Sequence, residues 1–262
     1  MRALKIFLLV PLLTACPSTS SSDAGTDALV TPDAPLACEP DAGPPLDAGD
    51  EGPIQPMQAT HAPFQNACSL QQIKDYAQCQ GAKNTDLCMQ FKPGQPGEAC
   101  GKCIETPYSV DSGAPEWGVI VFNGSTAFVN IEGCVNQALG TFDCGSAMHA
   151  LYQCEEISCS GCSGTDFGNC ELESAIDPGY CEPLAHAVNP CEGASPDAGC
   201  VPTGPCAAIF SPSIPCTAQN CFPNAACDDS TRQQVDFLER IVGYMCGAPT
   251  TDCPVTAPDH CP

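Results

Sequence analysis

Cys100-Gly101-Lys102-Cys103 sets two thiols at C-x-x-C spacing. In such a pair the second sulfur and a nearby helix start can stabilise a thiolate on the first, which is what thiol–disulfide exchange requires. Cys154, Cys159 and Cys162 follow as C-x4-C-x2-C, a spacing that approaches zinc ligation if one more thiol or a histidine joins. No second C-x-x-C stands at the distance that completes a zinc ribbon. Ile104 and Ser163 take the place where a haem-attachment motif has histidine, so covalent haem is unsupported. The chain has four histidines. His61 stands where an acidic leader ends, His260 lies two residues from the C-terminus, and His149 and His186 fall on short helical pieces. His149 is one position off the apolar face of Met148, Leu151 and Tyr152, which predicts a solvated side chain.

Cys100 and Cys103 resemble the redox motif of thioredoxin-like oxidoreductases. That resemblance implies a βαβ context with the motif after a strand, and here helical or loop sequence containing glutamate precedes it. The two stand as candidate redox residues, with structural pairing as the alternative. No H-E-x-x-H, G-x-S-x-G, G-x-G-x-x-G or lysine-bearing phosphate loop occurs, and Asp228-Asp229 lacks the ligand alternation of a calcium loop. The sequence therefore names no catalytic residue, no metal ligand set and no cofactor. Carboxylate pairs for acid–base chemistry meet only in the fold.

The elements that would position these residues are mostly helical. Ser69-Leu70-Gln71-Gln72 is a capping box, followed by an apolar face of Leu70, Ile73 and Tyr76 or Ala77 ending near Gly81. Further helices are expected over 85–91, 145–157 behind an Asp143 cap, 167–176 and 183–188. The most regular runs from Ser230 to Tyr244, where Ser230 and Gln233 repeat the capping box. The stretch 117–131 differs. It is β-branched and aromatic on both sides of Asn123-Gly124, a dipeptide favoured at a type I′ turn. Val119 and Val121 alternate with Ile120 and Phe122, so both faces are apolar and the hairpin must be buried or paired into a small sheet.

Composition bounds the whole. Twenty-three of the 262 residues are cysteine, about one in ten, the density of a disulfide-stapled scaffold in an oxidising compartment. Eight basic side chains face 31 acidic ones, for a formal charge of −23. This excess excludes nucleic acid and anionic membrane surfaces as partners, since both call for basic patches.

The N-terminus shows how such a body is presented. Arg2 and Lys5 precede an apolar run, Ile6 to Leu13, too short to cross a bilayer. It ends at Leu13-Thr14-Ala15-Cys16, which resembles the lipobox of bacterial lipoproteins. The resemblance implies that residues 1–15 are a signal peptide and that Cys16 carries the lipid, enough acyl chain for stable anchoring. Pro17 to Gln58 then holds eight prolines and eight acidic residues with no lysine, arginine or aromatic, a composition that cannot bury a core. Units such as Pro40-Asp41-Ala42-Gly43 resemble the tethers of myxobacterial-type surface lipoproteins. A coil of that length spans roughly 35 Å.

The expected organisation is a signal peptide (1–15), a lipidated and disordered tether (16–58), a main disulfide-rich unit (59–192), a loop or boundary (193–205) marked by a second Ser-Pro-Asp-Ala-Gly, and a C-terminal disulfide-rich piece (206–262). The fold class is mainly α with one hairpin and irregular loops. With Cys16 on lipid, 22 cysteines remain, and Cys38 in the tether must fold back for all to pair. The expected role is a binding, adhesion or envelope-structural module on the bacterial outer membrane, held by its lipid and meeting a cell-surface protein or polysaccharide. A hydrolase of envelope or prey polymers, and a thiol redox or metal-handling protein, are the alternatives.

Overall fold

The computed structural model describes residues 59–108, 116–123, 126–160, 162, 165–175, 180–189, 203–210, 214–222 and 230–251. The lipobox, the tether with Cys38, the turn at Gly124, most of the 193–205 boundary, Asp228-Asp229 and His260 lie outside them.

The architecture is mainly helical, with a small three-stranded mixed sheet. Helix α1, Leu70–Gly81, starts as its capping box dictates: Ser69 Oγ accepts from the Gln72 amide at 3.3 Å, and Gln72 Oε1 accepts from the Ser69 amide at 2.9 Å. Ile73, Tyr76 and Ala77 are its buried face, whereas Leu70, expected there, is 65% exposed on the first turn. Helix α2, Thr85–Cys88, runs on into a 3-10 turn, Met89–Phe91. Helix α3, Glu98–Ile104, carries the C-x-x-C and leads directly into strand β1, Glu105–Pro107. Sequence patterning suggests no strand there, nor the helix at Ile131–Leu139 that follows the hairpin.

Strands β2, Ile120–Asn123, and β3, Thr126–Val129, form the hairpin. Asn123 pairs with Thr126, which puts Asn123 in the strand; the expected turn centre at Gly124 lies outside the described residues. β1 adds to β2 in parallel, pairing Glu105 with Ile120. The two-sided apolar pattern has its reason here. Ile120 faces the main core, while Val121 faces a second cluster of Trp117, Tyr108 and Phe128.

The remaining helices are α4 (Ile131–Leu139), α5 (Asp143–Ser158), α6 (Thr165–Ala175), α7 (Glu182–Val188) and α8 (Ser230–Cys246), with a 3-10 segment at Cys216–Cys221. The Asp143 cap is corrected: Phe142 occupies the cap position and Asp143 is the first helical residue, with no side-chain cap bond. Its carboxylate still faces the positive end of the helix dipole. Helix α8 packs along α1 so closely that a Cβ on Gly81 would come within 2.8 Å of Val235 Cγ2. One core joins residues from Cys68 through Cys246, so the 206–246 portion and the earlier helices share a single interior.

Candidate functional site

Every described cysteine is disulfide-bonded. Seven bridges join described pairs: 68–100, 79–88, 103–246, 134–221, 144–206, 154–181 and 159–170. Cys162 and Cys216 are bonded as well. Cys100 and Cys103 are thus not bonded to each other. From one turn of α3, Cys100 reaches back to Cys68 and Cys103 reaches forward to Cys246. Cys154, Cys159 and Cys162 likewise divide among separate bridges and hold no zinc as a set. Oxidation has consumed the thiolates that exchange or metal ligation would use.

The densest set of titratable groups gathers around His149. Two sequence features bring it about. Asn130 caps α4, accepting from the Gly133 amide at 2.9 Å and donating to Gly118 O and Thr60 Oγ1. Gly145 then lets α5 cross α4 at backbone contact: its amide donates to Asn136 Oδ1 at 2.7 Å, and a Cβ there would overlap Glu132 O. The crossing sets Glu132 against His149, both under 5% exposed. His149 is therefore buried, contrary to its expected solvated position, because α4 covers the flank of α5 that the Met148 face leaves open.

His149 Nδ1 lies 3.2 Å from Glu132 Oε1, and Gln153 Nε2 lies 2.8 Å from His149 Nε2. With the amide nitrogen placed there, the consistent ring carries its proton on Nδ1, donates it to Glu132 and accepts from Gln153. Gln153 continues to the Tyr108 hydroxyl, whose pKa burial raises. Trp117, fully buried, stacks edge-on to His149 at 5.5 Å and to Phe128 at 5.8 Å. A carboxylate that orients an imidazole is half of a general-base arrangement. The other half is missing in geometry, since both ring nitrogens are engaged and no lone pair faces outward. The network can pin α4, α5 and the hairpin together; it cannot accept a substrate proton as it stands.

Other ionisable groups are perturbed singly. Burial pushes the Glu171 carboxyl up to about 7, and the Glu156 charge adds to the effect. Tyr76 donates to Glu105 Oε1 at 3.0 Å, and burial, then the Glu105 charge, raises its hydroxyl well above the usual value. On α8 the buried Arg240 donates through Nε to Asp236 Oδ2 at 2.9 Å and through Nη1 to Gln219 O at 2.6 Å. His186 is exposed beside Glu182, 3.7 Å away.

Two clusters place metal-ligating atoms within 4.8 Å of one another among the described residues: His61 with Cys103 and Cys246, and Cys159 with Cys162 and Cys170. His61 belongs to the folded body, not to the leader's end. Its amide donates to Trp117 O at 3.2 Å, beside the Thr60–Trp117 bridge. Nothing in its sequence neighbourhood announces that role, because its partners lie 42 and 185 residues away.

Comparison with protein-family profiles, with curated proteins and with solved structures found no match to this chain.

Proposed function

We propose that this chain is a lipid-anchored module of the bacterial envelope that presents a disulfide-stapled helical body outward to bind a cell-surface protein or polysaccharide. The observation that carries the reading is the oxidation of every described cysteine, which fits an oxidising, extracytoplasmic compartment and a rigid body with no free thiol among the described residues. The lipobox at Cys16 supplies the anchor and residues 17–58 the stand-off. The closed state of the His149 network favours binding over hydrolysis.

The test has two parts. In a Gram-negative host with a lipoprotein pathway, the full chain is expected in the membrane fraction, labelled by an alkyne fatty acid and accessible to protease on intact cells. Cys16→Ser is expected to appear soluble and unlabelled. A wild-type chain that remains soluble would sink the anchor. For binding, the chain displayed on cells should retain purified envelope polysaccharide or promote cell–cell adherence, and the Cys16→Ser chain added in excess should compete. Loss of polymer length in the same incubation, abolished by Glu171→Gln, would replace the binding module with the hydrolase.

A further inference from the structure

The start of the folded body and the end of α8 meet in a way the His149 network does not use. Amides of Phe64, Gln65, Asn66, Ala67 and Cys68 donate to the carbonyls of Tyr244, Met245, Gly247 and, twice, Cys246, at 2.8 to 3.1 Å. This strap satisfies the carbonyls that a helix end leaves without partners. His61 sits just ahead of it. Its Nε2 lies 3.1 Å from Cys103 O, 3.5 Å from Cys103 Sγ and 3.9 Å from Cys246 Sγ.

We propose that Cys103–Cys246 is an exchange disulfide whose reduction creates a zinc site made of its two thiolates and His61 Nε2. The reductant is an exported dithiol. One of its thiolates attacks Cys103 Sγ, which belongs to the less buried of the two cysteines, and the S–S bond breaks with its electron pair on Cys246 Sγ. The second thiol of the reductant then displaces Cys103 from the mixed disulfide. The chain gains two electrons and two protons, and the dithiol leaves as its own disulfide. Zn2+ binding releases the two thiol protons and takes the His61 tautomer whose ring proton is on Nδ1, where it donates to Ala62 O at 3.0 Å, leaving the Nε2 lone pair for the metal.

The distances are those of the product. Tetrahedral zinc, with Zn–S of about 2.3 Å and Zn–N of about 2.05 Å, places nitrogen and sulfur roughly 3.6 Å apart and the two sulfurs roughly 3.8 Å apart. Both nitrogen–sulfur edges, 3.5 and 3.9 Å, already match. Only the bonded sulfurs have to move apart once the bridge is reduced, which side-chain torsion supplies. The ligands stay together when the bridge opens. The strap holds the His61 segment to the end of α8, and Cys68–Cys100 holds it to α3. Three protein ligands leave a fourth position for water. Of the seven bridges whose two cysteines are both described, only this one and Cys79–Cys88 include a cysteine that is not buried; Cys162 and Cys216, bonded outside those seven, are also not buried. The second cluster of ligating atoms contains no imidazole.

The experiment treats the full oxidised chain with limiting phosphine, then adds Co2+ as a spectroscopic probe of thiolate ligation. Alkylation and peptide mapping identify the opened bridges. The expected result is release of Cys103 and Cys246 before any fully buried bridge, one tetrahedral Co2+ per chain displaced by Zn2+, and protection of both thiols from alkylation by Zn2+. Cys79→Ser/Cys88→Ser serves as a background free of the other described bridge with a partly exposed cysteine, and peptide mapping separates any opening at Cys162 or Cys216. In it, His61→Ala and His61→Gln should each lose at least tenfold in Co2+ affinity while releasing the same thiols; the glutamine can still donate to Cys103 O, which preserves the local fold. Cys103→Ala/Cys246→Ala should bind none. The proposal is overturned if Cys103–Cys246 resists while buried bridges open, if cobalt absorption survives in the paired alanine variant, or if both His61 variants bind as tightly as the parent.

Discussion

Replacing Cys103 and Cys246 together by alanine increases the unfolded chain's freedom more than removing any other of the seven described bridges. The sequence separation is 143, but the relevant loop is shorter, because Cys134–Cys221 offers a covalent shortcut. The closed path runs 103–134, across that bridge, and back along 221–246, roughly 58 residues, for which the chain-entropy relation gives about 4 kcal/mol. Cys79–Cys88 spans nine positions with no shortcut inside it, and the same relation gives about 2.5 kcal/mol. Each pair joins one buried cysteine to one partly exposed cysteine, so the packing lost is similar and the difference reports topology. Guanidinium unfolding at constant pH under non-reducing conditions, monitored by Trp117, gives the two losses. Trp117 is the sole tryptophan and fully buried. Equal losses, or a larger one for Cys79→Ala/Cys88→Ala, would refute the reasoning and locate the effect of these bridges in the native state.

Glu171 makes stability depend on pH. A carboxyl raised from 4.5 to about 7 stabilises the fold below pH 4.5 and loses that contribution as pH rises through 7. At about 1.4 kcal/mol per tenfold change in proton affinity, the ceiling is roughly 3 kcal/mol, so Glu171→Gln should leave stability at pH 4 unchanged and raise it at pH 8; a flat difference across that range in paired denaturation curves would contradict the assignment. Gly145→Ala should cost about 3 kcal/mol or more, as overpacking at a backbone contact does, read as lost near-ultraviolet dichroism. Gly140→Ala, where φ is 68° and nothing lies within 4 Å, should cost only about 1 kcal/mol. Arg240→Met alone strands the buried Asp236 carboxylate and should cost about 3 to 5 kcal/mol, while Arg240→Met/Asp236→Leu should recover most of it; a double-mutant cycle with no coupling would show that the pair does not interact.

What could be read in advance follows from how local each signal is. The capping box at Ser69, the α8 stripe and the hairpin rest on residues within a few positions of one another, and the backbone follows them. Helix α4 escaped notice because its signal is a cap by Asn130 whose side chain also serves Gly118 and Thr60, a tertiary role invisible in a window. β1 is three residues of Glu, Thr and Pro, a strand only because β2 pairs with it. The same limit governs the site. His149 was misplaced by one helical face because that face is decided by Gly145, and a glycine's importance depends on what approaches it. The C-x-x-C was visible but its chemistry was not, since disulfide partners lie 32 and 143 residues away and spacing does not encode connectivity.

The single turn between Cys100 and Cys103 has a mechanical consequence. Tension applied between the two ends of the chain enters at Cys68, crosses to Cys100, runs through Gly101 and Lys102, and leaves from Cys103 through Cys246. Along the seven described bridges, the rest of the chain between residues 68 and 246 lies off that line of force, so a pull strong enough to unravel ordinary helices leaves the described body intact. Opening Cys103–Cys246 reroutes the load through 103–134 and 221–246 and admits a lengthening of roughly 190 Å at about 3.4 Å per residue. One bridge thus decides whether this body behaves as a rigid link or as a spring.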